Sequence, residues 1–186
     1  MIKSEVRFGE SGIEFSNYPY PPASVYPSGT LLYPSIREVI LDAAPPEVRT
    51  QNGEVLFISA ELKVPLRQAA KTHRLPIVSR VDVWNLILEP FIDTKFDDEH
   101  KARTLATLEA NGVDRALCEE MRSSVAAAMI AYNIKSGLWD WTHLGLSDVL
   151  DALLGHLSGE KHRLSDDEFA TFYRRAMDIA ERAQRI

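Results

Sequence analysis

Residues 81–96 constrain this chain more than any other stretch, because the spacing of apolar residues changes on either side of them. Before them apolar and polar residues tend to alternate, the two-residue period of half-buried strands. After them apolar residues recur every three or four positions, the period of helices packed on one face. The stretch itself carries Trp84, Leu86, Ile87, Leu88, Phe91, Ile92 and Phe96. That much apolar side chain costs too much in water to lie on a surface, so a β layer and an α layer are both expected to pack on it. The expected class is α+β: an N-terminal antiparallel sheet of about five or six short strands, or a partial barrel, then a C-terminal bundle of about five or six helices. Residues 1–80 form the β module, which ends in a helix, and residues 81–186 form a helical module sharing its core.

Taken in order, Val6-Arg7-Phe8 and Ile13-Glu14-Phe15 alternate around Gly9-Glu10-Ser11-Gly12 and predict a β-hairpin. Closely spaced prolines in Tyr18-Pro19-Tyr20-Pro21-Pro22 and Val25-Tyr26-Pro27 remove backbone donors, which excludes a helix or a central strand and leaves an extended arm. Thr30 to Tyr33 and Ile36 to Leu41 read as two strands, or as one strand broken at Pro34-Ser35. Gln51-Asn52-Gly53 between two β-prone runs is a hairpin turn, because Asn-Gly readily takes positive φ. A helix should start at Pro65 and end near His73, ahead of Pro76.

Asp82 is placed to cap the next helix and Pro90 to kink or end it. Acids at 97–99 and the stop Asn111-Gly112 outline a helix over about 97–110. Asp114 starts the longest helix, and a further one is expected from Ser147 to Gly159. Ser165 and Glu168 form a capping box, after which Phe169, Phe172, Tyr173, Ala176, Ile179, Ala180 and Ala183 make one apolar stripe. That stripe can lie on the chain's own core or pair with a second copy, so a homo-oligomer through the C-terminal helix is one expectation.

Charge divides unevenly. Residues 1–80 hold nine Lys/Arg against eight Asp/Glu, whereas residues 81–186 hold twelve against nineteen, so the helical half carries −7. An acidic helical half repels phosphate, so neither nucleic acid nor an anionic membrane is an expected partner. No apolar run approaches the roughly 18 residues needed to span a bilayer, and the N-terminus has no signal-peptide core, which makes the cytoplasm the expected compartment. The one cysteine, Cys118, lies in a helical pattern and reads as a small buried spectator.

The most site-like stretch runs through Trp139, Asp140, Trp141 and His143. On a helix, Asp140 and His143 share a face, a spacing that lets a carboxylate and an imidazole meet one metal, or lets the acid orient the His as a base. Further metal ligands would come from Glu89 and Asp93, or from Asp97, Asp98, Glu99 and His100, because a metal centre needs three or more protein ligands. The competing reading has Asp140 and His143 hydrogen-bonding buried donors while Trp139 and Trp141 fill space. No phosphate-binding glycine loop or serine-hydrolase elbow occurs. Two functions follow as expectations. The first is a binding or regulatory module with no cofactor, presenting Tyr18, Tyr20 and Tyr26 of the arm, Trp139 and Trp141, or the acidic helical face to a protein partner. The alternative is a divalent-metal-assisted hydrolase or lyase using Asp140 and His143 as catalytic residues, with Glu89 and Asp93 completing the metal site.

Overall fold

A computed structural model describes residues 4–92, 97–136 and 143–186. The chain divides into two compact units, one of Met1–Val81 with Arg185–Ile186 and one of Asp82–Gln184. Among the described residues, six strands and six α-helices make the protein α+β, with the strands grouped in two three-stranded antiparallel sheets.

In the first unit, β1 (Glu5–Phe8), β2 (Gly12–Ser16) and β3 (Ser28–Leu32) form one sheet in that order. Ile13 and Phe15 of β2 point into the core at 0 and 2% exposure, as the two-residue period requires. A 3₁₀ turn, Tyr33–Ser35, then carries the chain to β4 (Ile36–Ile40), which pairs with β5 (Glu47–Thr50), and β5 with β6 (Val55–Phe57). The single sheet expected from the sequence is thus two sheets. Pro34 lies in that turn and lacks the N–H that a continuous ladder would need. The hairpin between β5 and β6 turns through Asn52 and Gly53, with Gly53 at φ +82 as the Asn-Gly pair foretells.

The proline-rich arm joins the two sheets of this unit. Phe15, Tyr18, Tyr20 and Phe57 stack edge to face in a row, with centroids 5.4, 5.5 and 5.8 Å apart, and the Tyr18 hydroxyl accepts the Phe57 N–H at 3.0 Å. Helix α1 (Lys63–Thr72) begins two residues before Pro65. Proline is tolerated there because the first-turn N–H groups have no helical acceptor in any case. The segment after α1 adds to the edge of β4, where Val39 N–H donates to Pro76 and Val78 N–H donates to Val39. Next to it lies a fully buried carboxylate. Glu38 is 0% exposed and accepts from Arg80 Nε at 2.6 Å and from the Arg185 guanidinium.

The second unit is helical. Helix α2 (Val83–Leu88) is capped by Asp82, whose carboxylate accepts the Asn85 N–H at 2.9 Å, and Pro90 turns its end into a 3₁₀ segment, Glu89–Phe91. Helix α3 (Asp98–Ala110) is capped by Asp97 and stops at Asn111, and α4 (Arg115–Ser136) starts on Asp114, which accepts the Leu117 N–H. Helix α5 (Leu146–Leu153) is shorter than its leucine spacing suggests. Gly155, at φ +83, closes it with the two C-terminal hydrogen bonds Gly155 N to Ala152 O and His156 N to Asp151 O, so Leu157 falls outside the helix and is 41% exposed. Its stop is Gly155 rather than Gly159, and its start is Gly145, whose N–H is accepted by Asp148 at 2.8 Å, rather than Ser147. Helix α6 (Asp166–Glu181) carries the Ser165–Glu168 capping box.

Helix α2 packs on α3, α4 and α6. Trp84, Ile87 and Leu88 are at most 1% exposed, and the Trp84 indole donates to Ala176 O of α6 at 3.1 Å. Arg122 of α4 donates to the Ile87 and Leu86 carbonyls, which have no intrahelical partner at the end of α2. Val83, Trp84, Ile87, Leu88 and Ile92 of the oily stretch are therefore core to the helical unit. Among the described residues no helix is long and apolar enough to cross a membrane.

Candidate functional site

Three places in the helical unit gather chemistry. The first surrounds His143, immediately before α5, whose Nε2 lies 3.3 Å from an Asp82 carboxylate oxygen. Asp148 of α5 accepts from the Tyr132 hydroxyl at 3.1 Å and from Gly145 N–H at 2.8 Å. Burial pushes the Asp148 carboxyl above the ordinary aspartate range, against the pull of those two hydrogen bonds and of His143, and nearby Asp151 adds to the rise. Burial likewise raises the Tyr132 phenol. Both Asp148 oxygens are occupied by donors that fix the start of α5, so the group works as a helix anchor.

The second place is Glu89. It is buried and accepts from His100 Nε2 at 2.6 Å and from the Thr104 hydroxyl at 3.2 Å. Asp140, Trp139, Trp141 and Asp93 lie outside the described residues. Of the residues considered as metal ligands, the structure brings together Glu89 and His100, with Thr104 also on Glu89, and places His143 against Asp82. Among the described residues, no group of three or more His, Cys, Asp or Glu side chains is arranged to hold a metal ion. Cys118 is fully buried and burial raises its thiol, which removes the thiolate a nucleophile requires.

In the β unit, Tyr18 and Tyr20 are 2 and 4% exposed and are used in the aromatic row, while Tyr26 stands 44% exposed. The apolar stripe of α6 is also used internally: Phe169, Tyr173, Ala176, Ile179, Ala180 and Ala183 are at most 3% exposed. Phe172 departs from its neighbours and is only half buried.

That departure marks the third place, an open groove of about 450 Å³ between α4, the end of α5 and the start of α6. Met121 and Leu153 form its buried floor, and the half-buried Leu164 and Phe172 form its apolar walls. Asp167 and Glu168 stand at the rim. Arg175, the cation among the lining residues, is held bidentately by Glu120, so the rim keeps a net negative charge. The Arg175 hydrogen bonds hold the Glu120 carboxyl below its ordinary range, and the Ser165 hydroxyl does the same for Glu168. The groove was not legible in the sequence, because its walls come from three separate segments. The available signals were Phe172, one residue off the centre of the stripe, and Leu164 just ahead of three consecutive acids.

No family model matches the chain, and no curated protein or solved structure matches it.

Proposed function

We propose that the chain is a binding module for a protein partner, and that the helical unit takes up a short segment bearing aliphatic and basic side chains in the groove lined by Met121, Leu153, Leu164 and Phe172. The observation that carries this reading is the pairing of an open apolar trough with an acidic rim in an acidic unit. The volume lies in the roughly 300–1,000 Å³ range of ligand clefts, enough to seat a few side chains. The −7 balance of residues 81–186 and the uncompensated Asp167 and Glu168 favour a cationic occupant and speed its encounter. Helix-in-groove recognition works in this way, with apolar anchors at helical spacing supplying the affinity and flanking charges the orientation. Tyr18 and Tyr20 are spent inside the β unit, so the acidic helical face carries the proposal and the proline-rich arm does not.

The test is a peptide-display selection on the intact chain, followed by titration of the selected sequences. Enrichment of Lys or Arg beside aliphatic residues, with at least tenfold weaker binding to Leu164→Glu and to Asp167→Lys, supports the reading. Selected peptides without a basic excess, or affinities that both substitutions leave alone, overturn it.

A further inference from the structure

The β unit holds a second cavity, with charge of the opposite kind. It is an open cleft of about 640 Å³ between the β1–β2 turn, the Tyr33–Ser35 turn, the edge of β4 and the end of α1. Arg37, Gln51, His73 and Arg74 line it, with Glu10 the one acid among the described lining residues. The His73 imidazole is stacked face to face on Tyr33, with centroids 3.6 Å apart and planes at 15°. The Tyr33 hydroxyl donates to Gly9 O at 2.9 Å, and burial holds the proton on that phenol, so it adds no negative charge to the cleft. Pro34, Leu75 and Pro76 supply apolar wall.

The backbone at Arg74 gives an independent reason to read this cleft as a site. Helix α1 ends with Leu75 N–H donating to Ala70 O and Arg74 N–H to Lys71 O, the hydrogen-bond pair that places one residue in the left-handed region. Glycine ordinarily occupies that position, because a Cβ is crowded there. Here the residue is Arg74, at φ +55. Asn17 and Leu157 share that geometry, but Arg74 is the one of these three that lines the cleft, and departures from local preference are found at functional sites.

We propose that this cleft binds the phosphate group of a small phosphorylated compound. Arg74 supplies charge and planar donors for the phosphate oxygens; Arg37 adds a guanidinium that it shares with Glu38, 3.5 Å from its Nη2, and Gln51 adds the amide hydrogen left over from its bond to Ile36 O, while the proline-lined wall contacts the rest of the molecule. A nucleic-acid backbone fits less well. Tyr33 is 6% exposed with His73 stacked on it, so it offers no face on which a base could stack.

Titration calorimetry of the intact chain at matched ionic strength tests the assignment, with phenyl phosphate, inorganic phosphate, benzoate and a short single-stranded oligonucleotide as probes. Phenyl phosphate is expected to saturate one site and to bind more tightly than inorganic phosphate or benzoate. Arg74→Gly should weaken it at least tenfold while the melting temperature stays level or rises, because glycine suits the helix end better. Arg67→Gln, which removes an exposed cation of α1 outside the cleft lining, should leave affinity unchanged. Non-saturating binding overturns the proposal, as does equal weakening by Arg67→Gln and Arg74→Gly, which would indicate diffuse attraction to α1. Tighter binding of the oligonucleotide or of benzoate than of phenyl phosphate also overturns it.

Discussion

Glu38 is the residue whose removal should hurt the β unit most for its size. Its carboxylate is 0% exposed and accepts from Arg80 Nε at 2.6 Å and Arg185 Nε at 3.0 Å, with Arg37 Nη2 3.5 Å away. Glu38→Ala takes the buried carboxylate away from the Arg80 side chain, which is 11% exposed. Removing one member of a buried ion pair costs about 3–5 kcal/mol, most of it from the stranded charge. Arg185→Ala should cost about 1 kcal/mol or less, because the Arg185 side chain is 55% exposed and water already screens its half of the network. Burial alone would raise the Glu38 carboxyl, but the hydrogen bonds and charges of Arg80 and Arg185 outweigh it and hold the group below the ordinary glutamate value of 4.5. A carboxyl held lower in the folded state stabilises fully above the unfolded value and loses that stabilisation as pH falls through the folded one. Wild type should therefore lose stability below about pH 4.5 partly through this group, and Glu38→Gln should flatten that dependence. Urea unfolding followed by β-sheet circular dichroism from pH 3 to 7 measures both effects. A cost for Glu38→Ala under about 1 kcal/mol, or equal costs for Arg80→Ala and Arg185→Ala, would refute the reasoning.

Two other substitutions probe the helical unit. The Asp148 carboxyl is raised in the folded state, chiefly by burial, so its contribution is fully present below the ordinary aspartate value of 3.8 and is lost as pH rises through the raised one. Asp148→Asn should remove that loss, and a pH series of helical unfolding midpoints with the same slope as wild type would contradict it. Gly155→Ala should cost about 1–2 kcal/mol in chemical denaturation, because φ is +83 and the new Cβ would lie 3.3 Å from Arg163 Cβ; a change within about 0.3 kcal/mol would be inconsistent with that crowding.

What could be read in the sequence was local. The Ser165–Glu168 box, the Asp82 cap, the first-turn acids of α3, the turn at Asn52-Gly53 and the break at Pro76 each depend on residues a few positions apart, and each occurs where its residues place it. Partition of the strands into two sheets was not readable, because it depends on which strand pairs with β4 after the turn at Pro34. The end of α5 was misread because Leu157 continues an apolar period that Gly155 interrupts, and a local φ preference outweighed the spacing there. The groove and the cationic cleft escaped because, like the sheet partition, they depend on which distant segments come together. Leu164 and Phe172 line one groove with Met121 and Leu153, and Arg37 lines one cleft with Arg74, only through tertiary packing.

The role of the acidic groove is tested most directly by methyl and amide NMR of the intact chain titrated with a display-selected basic peptide. Shifts confined to Met121, Leu153, Leu164, Phe172 and Asp167, and abolished by Leu164→Glu, are the predicted result. Shifts centred on the exposed Tyr26 or on α1, with the groove signals unmoved, would contradict it.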